Sequence, residues 1–251
     1  MSIKLLPLDY VNGIITIILI SFGIFLGLLM IKKYIKYKDN TLLFMGLCLI
    51  CITTFFWGAL VAFISILITG KGLSIQVYFM LSSILSHVSA ILWLIVFTNT
   101  VCKDKQKLIL SIMTGYTVLH RIIFIYFLLV DPSIMGYPSE TPLHFRPNMI
   151  WNFLNAIAII ITLITAFIFF KKSRKSKQPE IRFKGLFFLL AIVSYCMGLI
   201  ISLVFSLNIY TLFLTAIIFL SGFLEIYLAF TMPNWFKKLI ASKTKYDEES
   251  S

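Results

Sequence analysis

The chain has 251 residues, of which 60% are hydrophobic and 13% are charged, and its net charge is +12. Soluble domains carry about a quarter charged residues and keep much of their surface in water, so this composition excludes an ordinary soluble fold. Such a positive charge would suggest nucleic acid in a soluble protein. Here the basic residues flank apolar runs, which indicates anionic lipid headgroups as the partner and no nucleic acid.

Seven apolar runs are long enough to cross a bilayer, which requires about 20 residues in a helix. The predicted helices lie near residues 11–31, 41–69, 73–102, 108–130, 149–170, 185–206 and 209–232. The last two come from one run that is too long for a single crossing and is divided at Ser206-Leu207-Asn208. The sequence therefore predicts an all-α integral membrane protein, a seven-transmembrane-helix bundle formed by residues 1–232.

The basic residues are distributed unequally between the two ends of this bundle. Eighteen of the 22 lysines and arginines lie in the gaps after helices one, three and five and in the tail, whereas the opposite gaps hold only Lys4, Lys71 and Arg146. Cytoplasmic connections carry the excess of basic residues. We therefore expect the N-terminus outside, the C-terminus in the cytoplasm, and a multi-pass protein of the cell membrane.

Two segments outside the predicted spans are expected to contain structure of their own. The predicted external loop, residues 131–147, holds four prolines, which favour a stiff, folded cap. Residues 233–251 are predicted to form a short cytoplasmic interfacial helix followed by a disordered tail. The helix would be anchored on the inner leaflet by apolar and basic side chains. These are Trp235, Phe236, Lys237, Lys238, Leu239 and Ile240.

Polar side chains inside predicted helices are costly in lipid and are therefore candidates for function. We expect an outward-opening pocket between helices three, four and five, with a contribution from helix seven. Its candidate ligand-binding residues are Arg121, His87, His120, Asn155, Asn152 and Glu225. Arg121 is the strongest of them, because a guanidinium stays charged and needs an anion, a carboxylate or water.

A structural role competes with this binding role. Arg121 could form a lock between helices by pairing with Glu225 or with Asn155. Each histidine could equally make an ordinary interhelical hydrogen bond. Gly23 and Gly27 in helix one form a small-residue pair of the kind that lets helices approach closely, and we interpret it as packing within the bundle.

The sequence lacks the residue patterns that are typical of several classes of membrane protein. No residue pattern indicates a catalytic centre, a metal site or a cofactor, so we do not expect an enzyme. All seven prolines lie outside the predicted membrane runs. The predicted helices are therefore continuous, which disfavours the interrupted-helix sites that many transporters use.

The layout of seven helices, an external N-terminus and an amphipathic eighth helix resembles G-protein-coupled receptors. It is also similar to the seven-helix sensor regions that precede kinase or cyclase domains in microbes. The resemblance covers the layout and no shared motif. It favours a receptor or sensor that binds a small ligand from outside and signals through a separate cytoplasmic partner. A small transporter or channel for an anion or metabolite, a non-catalytic scaffold subunit and a homo-oligomer remain alternatives.

Overall fold

The structure is a computed structural model, and it describes residues 3–205, 207–233 and 236. Seven of its helical segments are long and apolar enough to cross a membrane. The chain is therefore an all-α, multi-pass membrane protein, as the sequence predicts. The helices and strands are α1 (Pro7–Tyr37), α2 (Asn40–Thr53), α3 (Trp57–Thr69), α4 (Ile75–Ser83), α5 (Ser86–Val101), α6 (Gln106–Val130), β1 (Gly136–Pro138), β2 (Phe145–Pro147), α7 (Met149–Arg174), α8 (Pro179–Val204) and α9 (Ile209–Thr231).

Two of the seven spans are not single α-helices. Span two consists of α2, a 3-10 turn at Thr54–Phe56 and α3, and span three consists of α4 and α5. The other five spans are α1, the segment Lys103–Val130 with α6, and α7, α8 and α9. The expectation of continuous helices throughout is wrong, and the physical reason lies in the polar groups around the break in span three.

Local side chains fix several helix ends. Asn208 accepts hydrogen bonds from the backbone amides of Tyr210 and Thr211, both at 3.0 Å, and so caps α9. Ser74 caps α4 in the same way through the amide of Val77. Gly70 ends α3 with a φ of 70°, a left-handed conformation that glycine adopts without strain. The cap at Asn208 explains why the long apolar run divides at this point.

The interior of the bundle is built around large aromatic side chains. Trp93 of α5 stacks on Phe188 of α8 with ring centroids 3.8 Å apart, and its indole N–H donates to Thr165 of α7 at 2.8 Å. Helix α1 packs against α2 and α9, and α8 packs between α7 and α9. Helix α6 packs mainly on α5, so most of its surface faces outward.

Close helix contacts occur at glycine. A Cβ atom added to Gly27 would lie 2.8 Å from the carbonyl oxygen of Gly46, and one added to Gly23 would lie 2.5 Å from Thr53. Both neighbours belong to α2. The small-residue pair of α1 therefore packs within the bundle, as the sequence analysis interprets it.

The connection between α6 and α7 is a folded cap. A short 3-10 turn at Pro132–Ile134 leads into the antiparallel pair β1–β2. Met135 is fully buried against aromatic side chains of α4, α6 and α7, and Leu143 is buried against Phe63 of α3. The predicted folding of this loop is confirmed. We call this end of the bundle the hairpin end and the opposite end, which holds residues 171–184, the basic end.

Most of the predicted interfacial anchor lies outside the described residues. This applies to Trp235, Lys237, Lys238, Leu239 and Ile240. Phe236 is described, and its ring packs edge-to-face on Phe187 of α8 with centroids 5.1 Å apart. This contact brings the chain after α9 against the basic end of α8.

Candidate functional site at the break in span three

The candidate site begins with the backbone at the junction of α4 and α5. Leu85 has φ −116° and ψ 4°, outside the helical region, and the amide of Val88 donates to the carbonyl of Leu85 at 3.1 Å. In a regular helix that amide would donate to Ile84 instead. The break therefore leaves helical carbonyls in the middle of a membrane span without their usual partners, which is costly in lipid.

Arg121 of α6 supplies the missing donors. Its Nη2 atom donates to the carbonyl of Ser83 at 2.5 Å and to that of Ile84 at 3.3 Å. The guanidinium carbon also lies 5.7 Å from the ring centroid of Phe124. A cation at the C-terminal end of α4 is favoured by the helix dipole as well as by the two hydrogen bonds. Arg121 thus holds span four against the open end of α4.

The two histidines meet beside this contact. The rings of His87 and His120 have centroids 3.9 Å apart and are tilted by 39°. The side chains are 2% and 1% exposed. The Nδ1 atom of His87 lies 3.2 Å from the hydroxyl of Ser86, but Nε2 of His87 and both ring nitrogens of His120 have no hydrogen-bond partner among the described residues. Among the described residues neither histidine makes the expected interhelical hydrogen bond, and the two rings contact each other at a tilted angle instead.

One hydroxyl group shares this lack of partners. Thr117 Oγ1, one turn before Arg121 on α6, is buried and has no partner in the described part of the chain. Buried polar atoms in native proteins almost always have a partner, so this hydroxyl and the imidazole nitrogens are candidates for hydrogen bonds with water or a ligand. We refer to His87, Thr117, His120 and Arg121 as the break cluster.

The asparagines of α7 face backbone groups of their own segment. Asn155 donates to the carbonyl of Trp151 at 2.8 Å and Asn152 to that of Pro147 at 3.3 Å. The contact of α7 with the histidines is made instead by the indole of Trp151, whose centroid lies 4.9 Å from that of His120. The predicted Arg121–Asn155 lock is therefore wrong, because Arg121 binds the carbonyls of the break.

Glu225 belongs to a different part of the bundle. Its carboxylate accepts from the hydroxyl of Ser194 on α8 at 3.1 Å and from that of Ser221, one turn earlier on α9, at 2.9 Å. Within the described ranges Arg121 and Glu225 form no ion pair. The predicted Arg121–Glu225 lock is also wrong, since span seven contributes its carboxylate to α8 and not to the break.

Sequence reasoning thus found three residues that the fold brings together, His87, His120 and Arg121, but it missed the break itself. One signal was available. Ser82, Ser83 and Ser86 follow each other within five positions, and serine side chains compete with the backbone for hydrogen bonds. The hydroxyl of Ser86 indeed donates to the carbonyl of Ser83 at 3.0 Å.

A third histidine fastens the cap at the hairpin end. The side-chain amide of Asn12 in α1 donates to Nε2 of His144 at 2.9 Å, and the hydroxyl of Tyr78 in α4 lies 3.3 Å from Nδ1. Burial disfavours the charged imidazole and lowers the pKa of His144 to about 4. His144 thus joins the cap to two spans, one of them α4, whose other end is held by Arg121.

No family model, curated protein or solved structure matches the chain. The chemistry of the site follows from its own groups. A guanidinium, one hydroxyl and three imidazole nitrogens without a partner among the described residues offer several donors, at least one acceptor and one fixed positive charge. This set fits a small polar molecule with an anionic group.

Proposed function

We propose that this multi-pass membrane protein is a seven-helix receptor or sensor module that binds a small organic anion in the break cluster. One observation carries the proposal: Arg121 bridges the interrupted span three from span four, next to buried imidazole nitrogens that lack a partner within the described part of the chain. This contact joins a potential ligand-binding cation to the interrupted backbone of span three, which would become a continuous helix in the second state of the proposed switch.

The proposed switch is a competition for Arg121. A carboxylate that pairs with the guanidinium forms stronger hydrogen bonds than a backbone carbonyl does. It would draw Arg121 away from Ser83 and Ile84, and those carbonyls would regain partners by helical hydrogen bonds across the break. A ligand shifts a conformational equilibrium only through unequal affinity for its two states, and this exchange provides the difference.

The cap would couple the switch to the hairpin end. Helix α4 carries Tyr78 and Phe79, which pack under the buried Met135 and against Phe145 of β2. A change in the direction of α4 would therefore move the cap or be opposed by it. With the hairpin end outside, as the charge distribution suggests, the ligand would enter beneath this cap.

The output would pass through a separate partner at the basic end. The basic connection at residues 171–184 and the tail after α9 would contact that partner or anionic inner-leaflet lipid in the cell membrane.

Thermal unfolding in lipid nanodiscs tests the ligand chemistry. Acetate, butyrate, lactate and benzoate are compared with chloride at equal ionic strength, on the wild type, Arg121→Gln and the control Arg146→Gln, which loses an exposed ion pair with Glu140 on the cap. We expect at least one carboxylate to raise the midpoint of the wild type and the control but not of Arg121→Gln. An equal response of all three proteins, or none in any, contradicts the proposal.

A transporter or channel is the second candidate, and the break in span three specifically favours it. Discontinuous helices build substrate sites near the membrane midplane in many transporters. Uptake of the responding carboxylate into proteoliposomes separates the two candidates. Flux above that of protein-free vesicles, lost in Arg121→Gln, supports transport, whereas binding without flux supports sensing.

A further inference from the structure

A groove on the outer surface of the bundle lies between α7 and α8. Its volume is about 440 Å³, and every side chain that lines it is apolar: Leu163, Ile164, Phe167, Ile168, Leu189 and Val193. The groove lies in the membrane-spanning part of both helices, where hydrocarbon chains are the surrounding solvent. Its apolar lining suits a hydrocarbon chain.

The helix faces that line the groove continue into cations at the basic end. On α7, Lys171 and Arg174 follow Phe167 by four and seven positions, and on α8 Arg182 precedes Leu189 by seven, spacings that keep residues on one helix face. All three cations are exposed. The ammonium of Lys171 lies 4.7 Å from the ring centroid of Phe167, which itself lines the groove. The apolar slot is therefore continuous with a positively charged mouth.

Two neighbouring lysines of this segment contact groups outside the groove. Lys172 donates to the carbonyl of Val101, and the ammonium of Lys184 lies 4.9 Å from the ring of Phe230. Glu180, in the first turn of α8, lies roughly 200° around the helix from Arg182, at about 100° per residue. The mouth of the groove thus presents positive charge on its own face.

We propose that this groove is a binding site for one anionic phospholipid. An acyl chain occupies the slot between α7 and α8, and the phosphate is held by Lys171, Arg174 and Arg182. The charge of the mouth selects an anionic over a zwitterionic headgroup, because each nearby lysine or arginine attracts anionic lipid by about 1 kcal/mol. The site is remote in sequence from the break cluster and does not depend on the proposed sensor function.

Photo-crosslinking of the full chain in phosphatidylcholine nanodiscs tests the site. The probe is phosphatidylglycerol with a diazirine in one acyl chain, and adducts are located by peptide mass spectrometry. We expect adducts at residues 163–168 and 189–193, displaced by unlabelled phosphatidylglycerol and not by phosphatidylcholine. Adducts spread evenly over the surface of the bundle, or equal labelling by a phosphatidylcholine probe, overturn the proposal.

Two variants separate the headgroup from the slot. The triple change K171Q, R174Q and R182Q should weaken labelling on the order of a hundredfold, whereas K103Q, K105Q and K107Q remove the same charge from an exposed connection at the same end and should leave it unchanged. V193W fills the slot and should abolish labelling with every cation present. Equal losses in both triple variants overturn headgroup recognition. A wild-type dimer that V193W converts to a monomer shows that a second copy fills the groove and overturns the lipid site.

Discussion

At the scale of single residues, the most informative contact is that between Arg121 and the carbonyls of Ser83 and Ile84. The sequence singles out Arg121 because it is the one lysine or arginine inside a predicted span. It does not reveal the partner, because hydrogen bonding to a backbone carbonyl leaves no complementary side chain in the sequence. Charge alone would pair Arg121 with Glu225, the carboxylate inside a predicted span. The carboxylate of Glu225 accepts hydrogen bonds from two hydroxyls instead.

Removing this contact should destabilise the bundle. In Arg121→Gln the carbonyls of Ser83 and Ile84 lose their donor in a membrane span, and we expect a loss of about 1–3 kcal/mol in the free energy of unfolding. Arg121→Lys should lose less, since one ammonium can still donate. Reversible unfolding in mixed micelles measures the difference, with Arg146→Gln as a surface control that should change stability by at most about 1 kcal/mol. Equal stability of Arg121→Gln and Arg146→Gln would refute the contact.

The lowered pKa of His144 predicts that the stability of the fold depends on pH, and it sets the sign of that dependence. The pKa is about 4 in the folded chain and 6.5 in the unfolded chain, so between these values the unfolded chain binds more protons. The contribution of neutral His144 to the free energy of unfolding is complete above pH 6.5 and decreases as the pH falls to 4. Below pH 4 it does not change further, and the total decrease is about 1–3 kcal/mol. Unfolding measured from pH 7.5 to 4 should show this slope in the wild type. His144→Gln should lack it, and an identical slope in both would disprove the assignment.

At the scale of elements, the apolar runs predict the spans well because length and hydropathy determine which segments can cross a bilayer. The interior of a span is harder to predict. Nothing in the hydropathy of residues 75–101 distinguishes a straight helix from one broken between Ser83 and Ser86. The break depends on a donor from α6, which only the packed structure supplies. The folded cap between α6 and α7 could be predicted from the sequence, because prolines restrict the backbone locally.

The close contact of α1 with α2 gives a prediction at this scale. In Gly27→Ala the new methyl group would lie 2.6 Å from Ile50 and 2.8 Å from the carbonyl of Gly46, so the helices must separate. We expect a loss of about 1–3 kcal/mol. Gly115→Ala is the matched control, because nothing lies within 4 Å of its added Cβ and alanine favours the helix. The free energy of unfolding, measured for both variants, tests this contact. If Gly27→Ala is as stable as the wild type, α1 and α2 are further apart than the structure shows.

At the scale of the whole molecule, the charge asymmetry predicts an orientation that packing alone does not define. Ser139→Cys on the cap and Ser176→Cys in the basic connection are matched probes in a background with the four native cysteines replaced. An impermeant maleimide applied to intact cells should label Ser139→Cys and leave Ser176→Cys unlabelled until the cells are permeabilised. The opposite pattern would reverse the orientation and the proposed side of ligand entry.

Arg121, the break in span three and the buried histidines form one site in the proposed sensor. A high-resolution cryo-electron microscopy map of the protein in a lipid nanodisc would show this site directly. We expect an interruption between Ser83 and Ser86, the guanidinium of Arg121 against the carbonyl of Ser83, and non-protein density in contact with His87 or His120. A continuous third span, or Arg121 paired with Glu225, would refute the proposed site.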